Sequence, residues 1–501
     1  MMLSKLNSSV ILAVALAIAG CQLPQWGESL PPRRPLGAEF EVYQPSGGDT
    51  AALFEMAPGK GKVDLSEPTG ELSLRRALSL ALAKSPKLAS FAWGVREAEA
   101  EQLQAALLPN PELETEFENF GGSGEFRSTR SLETTVALSQ LIELGGKRAK
   151  RIKLAQADTK LAGWEYESKR LSVLTDVTQR FISALAIQKK LELAEEDLKL
   201  ASAGLDAVTK EMAAGKVTLV AKTKASVEVA TSKIRAARIR RAMTSARSEL
   251  AAGWGSTRPG FTKLLGDLGD IAVIPPSEKL TAHLARNPGL ASWAAELQQR
   301  QAALDLARAN AIPDVTAGVG YRHTRETDDN DHAIVAGVSI PLPLFDRNQG
   351  EIRKARYSLA RAKAQRRAVE VGLHTEFEKA YQTLASAHSE AVALRDEVLP
   401  AARSSHEASG KSFEQGKAGY MDVLDAQRTL VEVREQYLEA LEAYHSAVTS
   451  VEGIIAQPLK SIGKATPKAK DTNNEKCNRS GGASDAQLTS PGSVGPGDQL
   501  H

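Results

Sequence analysis

Two short stretches of this chain carry residue types that could bind or steer an ion. In GKAGYMDVLDAQRTL, residues 416–430, Asp422 and Asp425 stand three apart and share one helix face. Such a pair attracts cations and repels anions; on an isolated helix it is equally a solvated surface. In RHTRETDDNDH, residues 322–332, two histidines and three aspartates fall together. Histidine and carboxylate ligate divalent ions. The same composition also makes a hydrated loop, and the counterpart segment GGSGEFRSTR has no such residues, so a loop without metal is expected. The eight histidines form no HxxxH pair, and there is no nucleophile elbow, phosphate loop, zincin or CxxC motif. No enzyme and no cofactor are expected.

Composition points to the elements that must carry these residues. The 501 residues are 42% hydrophobic, 25% charged and 5% aromatic, with a net charge of +2. Near-zero charge gives no support for a nucleic-acid partner. Few aromatics with abundant Ala, Leu, Glu, Lys and Arg favour long helices. Residues 1–20 hold one lysine, Lys5, then an apolar run and a small-residue end, the pattern of a secretory signal peptide. The closing Ile18-Ala19-Gly20-Cys21 resembles a bacterial lipobox, which implies cleavage before Cys21 and lipid on it. An ordinary signal with an incidental cysteine is the alternative. The other cysteine, Cys477, lies in a polar tail. No other apolar run reaches the roughly 18 to 20 residues of a membrane helix, so a crossing would have to be a β-barrel.

The chain repeats itself. KSPKLAS returns as RNPGLAS, LLPNPELETEF as AIPDVTAGVGY, LIELGGKRAK as PLFDRNQGEIRKA, and KEMAAGKVTLVAK as KSFEQGKAGYMDV, each about two hundred residues later. One unit has been duplicated. Each unit predicts a helix (72–106; 278–310) stopped by Pro109 or Pro313, then two strands (112–120 and 132–142; 315–321 and 334–344). A very long helix follows, 147–210 in the first unit. Its apolar residues Leu154, Leu161, Trp164, Leu171, Leu174, Phe181 and Leu185 make a coiled-coil seam. Leu373, Phe377, Tyr381, Leu384, Ala387, Ala391, Leu394 and Val398 do the same in the second, where Pro400 should kink the helix. Gly215 and Gly416 turn the chain, and a last helix returns. The expected division is 1–20 signal, 21–70 extended segment, 71–255 first repeat, 277–456 second repeat and 457–501 disordered tail.

Strand must become helix at LIELGGKRAK and at PLPLFDRNQG. Pro341 and Pro343 stop sheet pairing, Asp346 and Asn348 are expected to cap the helix, and Gly350 follows; Gly145 and Gly146 turn the first junction. Four strands per chain cannot close a barrel in lipid, but three chains would supply twelve. A homotrimer is therefore expected, with a small soluble sheet capping a helical bundle as the rival.

The signal, the duplication, the proline-flanked strand pairs and the long helices resemble TolC-type outer-membrane efflux factors, over roughly residues 72–456. LIELGGKR and PLPLFDRNQG look most like the cobalt–zinc–cadmium branch. The resemblance implies a mostly α fold with a trimeric 12-stranded transmembrane β-barrel, four strands per chain, continued by a coiled-coil periplasmic tunnel. It implies a lipid-anchored outer-membrane exit duct for heavy-metal cations, with a periplasmic adaptor and an inner-membrane RND transporter as partners. Asp422 and Asp425 would ring the pore constriction, and Gly215, Lys216, Val217, Gly416, Lys417 and Ala418 would meet the adaptor. The acid and base that latch the closed tip in relatives are replaced by Ala221 and Ala418. Export of organic drugs or of a secreted protein, and a non-channel periplasmic scaffold, are the alternatives.

Overall fold

A computed structural model describes residues 66–326 and 330–463. The signal segment, Cys21, the tail and Cys477 lie outside them. The first unit runs β1 (Gly70–Ser73), α1 (Leu74–Lys84), α2 (Pro86–Ala105), β2 (Glu112–Glu118), β3 (Glu133–Ile142), α3 (Lys147–Ala213) and α4 (Leu219–Ala252). The second runs β4 (Phe261–Leu265), α5 (Ser277–Thr281), α6 (Pro288–Ala309), β5 (Val315–Arg325), β6 (Asn330–Ser339), α7 (Gln349–Ala393), α8 (Leu399–Glu414), α9 (Tyr420–Ile455) and α10 (Leu459–Gly463).

The helices expected over 72–106 and 278–310 are each broken, and at the same place. Ser85 and Asn287 take φ −58° with ψ 118° and 123°, because the proline that follows each excludes helical ψ. Pro86 and Pro288 then start α2 and α6, where a missing N–H costs nothing. Asn287 fastens its break, accepting from the Gly289 amide at 2.8 Å and donating to the Ile454 carbonyl at 2.8 Å. A second departure is the parallel pairing of β1 with β4, for which periodicity gave no sign. Buried Gln188 of α3 continues that pair, donating to the Leu264 carbonyl and accepting from its amide, at 3.1 and 2.8 Å.

α3 has 67 residues, about 100 Å at 1.5 Å per residue. It packs on α2 and α6 over its first part and on α4 over its second. The main core lies where α3 meets α1, α4 and β4, around Leu80, Leu174, Phe181, Leu250 and Phe261. A second core joins α7 to α9 through Phe377, Leu384, Tyr444 and Val451. Of the first seam, Leu171, Leu174, Phe181 and Leu185 are buried, while Leu154, Leu161 and Trp164 are half-buried.

Pro400 interrupts the long helix of the second unit. Between α7 and α8 the chain makes one π turn, Leu394–Val398, which accommodates the amide that Pro400 lacks. The extra residue shifts the seam: Leu394 is buried, Val398 is exposed, and Leu399 takes over. The strands shift too. β5 runs four residues beyond 321, and β6 covers 330–339, not 334–344. Residues 341–344 lie outside the sheet, since Pro341 has no amide for pairing.

Candidate functional site

β2, β3, β5 and β6 form one antiparallel sheet in that order, so β2 and β6 are its edges. Register assigns each side chain to a face. One face carries Leu113, Phe117, Val136, Leu138, Val319, Tyr321, Ile334 and Val338, all exposed in the single chain. The other carries Glu112, Glu114, Glu116 and Glu118 at every second position of β2, beside Thr135, Ser139 and Arg322. Arg322 reaches Glu133 at 3.3 Å and Glu118 at 3.8 Å and donates to the Thr135 hydroxyl at 3.1 Å. Glutamate alternating with Leu, Thr and Phe in ELETEFE is the sequence signal for this ladder.

At the first junction Gly145 and Gly146 both take φ +66°, which L side chains rarely adopt. A Cβ on Gly145 would lie 2.7 Å from Ile312 Cδ1. The start of α3 is pinned by charge. Buried Lys147 pairs with Asp314 at 2.7 Å, whose other oxygen accepts from the Leu144 amide at 2.9 Å. Burial alone would raise the Asp314 pKa, but Lys147 and the Leu144 amide outweigh it and hold it below the usual carboxylate range. Arg148 and Arg151 donate to the Ala106 and Ala105 carbonyls at the end of α2, at 2.7 and 3.1 Å, satisfying groups the helix leaves unpaired.

The second junction is built differently, and its capping departs from expectation. Asn348 sits at φ +57° and its side chain makes no cap; it donates across to the Ala307 carbonyl at the end of α6, at 2.7 Å. Asp346 accepts from the Asn348 amide at 2.8 Å, so its bond closes the turn before the helix rather than a helix amide. Gly350 is already helical and a Cβ there meets nothing, so the fold does not require glycine at that position. Leu342, Leu344 and Phe345 beside Pro341 and Pro343 are strongly exposed.

The two tips share one backbone. Ala214 and Gln415 both take φ −81°, ψ 0°; Gly215 and Gly416 take φ +75° and +69°; Thr218 and Gly419 both take φ −84°, ψ 159°. Their caps differ. The Thr218 hydroxyl accepts from the Ala221 amide at 3.4 Å, whereas Asp422, at the position matching Ala221, accepts from the Gly419 amide at 2.8 Å. Lys216 pairs with Glu211 at 3.4 Å; Val217 and Ala418 are half-buried, and Lys417 is exposed. Asp425 is exposed on the same face as Asp422, and its carboxylate makes no ion pair among the described residues.

Two turns deeper lies a polar cluster that sequence reasoning missed. Arg428 of α9 donates through Nε and Nη2 to Glu228 of α4, the Nε contact at 2.8 Å. Asp197 of α3, 3% exposed, accepts from Ser232 at 2.7 Å and Gln427 at 3.4 Å and lies 3.7 Å from Arg235, which also meets Glu435 at 3.8 Å. These groups tie the second hairpin to the first. No sequence signal marks them, because their partners lie on three separate helices.

The chain matches the family of Outer membrane efflux proteins over residues 77–256 and 280–457. It is 35% identical to the cobalt-zinc-cadmium resistance protein CzcC of Cupriavidus metallidurans over 391 residues, 78% of this chain and 91% of that protein. It is 28% identical to the nickel and cobalt resistance protein CnrC of the same species, over 62% of this chain and 73% of that one. Among solved structures, one of CusC aligns with TM-score 0.65 at 16% identity, covering 83% of this chain and 99% of that one. A membrane protein of Pseudomonas aeruginosa gives 0.64 at 18%, over 80% and 99%. At those identities the structures speak to fold alone. The duplicated strand-pair and long-helix plan and the match through both repeats agree: the chain belongs to the outer membrane efflux protein family.

Proposed function

We propose that three copies of this chain form an exit duct across the outer membrane that passes heavy-metal cations. The observation that carries it is the two-faced sheet with two open edges. Edges cannot face hydrocarbon unpaired, so β2 of one copy pairs with β6 of the next and twelve strands close. The apolar face meets lipid and the glutamate ladder lines the lumen, an arrangement that favours cations. The heptad-spaced Val220, Val227 and Ile234, all more than half exposed on α4, supply a seam for a neighbouring copy's helix. CzcC and CnrC, named for cobalt-zinc-cadmium and for nickel and cobalt resistance, support metals as cargo.

In this reading residues 71–255 and 277–456 are the two channel repeats, and Cys21 carries the lipid anchor. An RND transporter in the inner membrane supplies the energy through a periplasmic adaptor. The adaptor meets Gly215, Lys216, Val217, Gly416, Lys417 and Ala418, and Asp422 and Asp425 from three copies ring the constriction. The Glu228–Arg428 and Asp197 cluster holds the tip closed where Ala221 and Ala418 leave no latch.

Deleting the gene and scoring growth against zinc, cobalt, cadmium, nickel, copper, silver, drugs and detergents tests the cargo. Sensitivity confined to metals, restored by the intact gene, is expected; sensitivity to drugs alone rejects the metal reading. Single-channel conductance of the purified trimer tests the duct, and a silent bilayer sinks it. With Asp422 and Asp425 both changed to Asn, cation-over-anion permeability should fall; an unchanged ratio removes the ring.

A further inference from the structure

Residues expected to be a loop are largely strand, and that brings two distant histidines together. His323 of β5 and His332 of β6 are direct cross-strand partners, with Nδ1 atoms 3.3 Å apart and ring centroids 4.9 Å apart. Tyr321, two residues from His323, lies on the same face, and its hydroxyl also contacts His332 Nδ1. Two nitrogens and a phenol oxygen thus gather at the hairpin end of the apolar face, where His323 and His332 follow its last large apolar pair, Tyr321 and Ile334. The described residues contain no cluster of three or more His, Cys, Asp or Glu suited to a metal. This donor set has only two of those residues; its third donor is a phenol.

We propose that Tyr321, His323 and His332 form a site for a borderline divalent cation of the zinc, nickel and copper kind. Imidazole suits these ions and ignores magnesium and calcium. Two nitrogens each about 2.0 Å from a tetrahedral zinc stand about 3.3 Å apart, the spacing found here. The strand pairing already sets the two histidines side by side on one face, so part of the ordering a site needs is in place before the ion arrives. Bound metal would clip β5 to β6 across the hairpin. The carboxylates of the opposite face, Asp331 among them, point away from it.

The test uses full-length protein in detergent micelles, titrated with copper(II) alone and followed by electron paramagnetic resonance, with zinc titrated calorimetrically. One ion per chain with two-nitrogen ligation is expected. His323→Gln and His332→Gln, which keep polar bulk, should each lose that signal, and Tyr321→Phe should keep the nitrogen pattern with weaker binding. His374→Gln, far along α7, should change nothing. A metal-free melting curve unchanged in each variant shows that the fold is kept. The proposal is overturned if the double histidine variant retains the signal, or if the intact protein gives none. The site needs only the pairing of β5 with β6: a chain that fails to conduct leaves it standing, and a chain that binds no copper leaves the duct standing.

Discussion

The two strand-to-helix junctions solve one problem with different chemistry. The first turns on two left-handed glycines and is pinned by Lys147, Arg148 and Arg151. The second turns on prolines and one left-handed asparagine, and reaches the neighbouring helix end through a single amide. Both satisfy carbonyls left at the end of the preceding helix, Ala105 and Ala106 in one, Ala307 in the other. The tips repeat the lesson. A complete capping box has been divided, the hydroxyl half kept as Thr218 and the carboxylate half as Asp422. At the tips duplication preserved the backbone dihedrals and let each copy meet them with whatever side chain could; at the junctions only the left-handed residue before the helix, Gly146 or Asn348, is shared. What is held constant is the unpaired group that needs a partner.

If that is right, substitutions at the two junctions should differ in a set order. Gly145→Val puts a branched side chain at φ +66° and against Ile312, and should cost about 3 kcal/mol or more. Gly350→Ala, at the second junction, should be neutral within about 0.5 kcal/mol. Denaturant melts and the yield of folded protein read both, and equal losses would erase the contrast.

Asp314→Ala should cost about 1–3 kcal/mol, because it strips partners from buried Lys147 and the Leu144 amide together. Asn348→Gly should cost less, since it removes one amide bond and keeps the turn. A reversed ranking in the same melts would show the second junction to be the stronger.

A third difference is one of pH. His445 of α9 corresponds by tip spacing to Thr244 of α4. Burial lowers the His445 pKa, opposed by its contact with the Leu268 carbonyl at 2.8 Å. A histidine depressed in the fold binds more protons when unfolded. Its contribution is therefore full above about pH 6.5 and is lost as the pH falls below that. Melts at pH 7.5 and 5.5 should show that loss, and His445→Gln should reduce it. An unaltered pH dependence would place the sensitivity elsewhere.

Modest losses are expected at the tips. Thr218→Ala and Asp422→Ala should each cost about 1 kcal/mol. Combining Thr218→Ala with Ala221→Asp should recover part of the loss, by moving the second tip's solution to the first. No recovery would mean that the two caps are not interchangeable.

Much of this was legible in the sequence because it is written locally. Gly215 and Gly416, the long seams and the presence of the strand pairs follow from single residues and short periods. The breaks at Pro86 and Pro288 are equally local, but the periodicity of the flanks masks one proline in each. Other features were not local. The parallel β1–β4 pair joins segments almost two hundred residues apart with five residues or fewer in each strand. The cluster of Asp197, Glu228 and Arg428 needs three helices in register before any member has a partner. The histidine pair is hidden in the sequence because a polar segment reads as a loop, whereas pairing extends both strands into it.

The π turn at Leu394–Val398 has a consequence that is a matter of counting. Each residue advances an α-helix by about 100°, so one extra residue re-aims everything that follows it. Leu399 and Ala402 meet Leu430 and Val433 only because that residue is present. Deleting one residue from the turn would leave the composition of α8 intact and present its wrong side to α9. The heading of the second hairpin is thus stored as a number of residues, in a helix with no loop to absorb a miscount. In evolutionary terms, this stretch should accept many substitutions and almost no single-residue gains or losses.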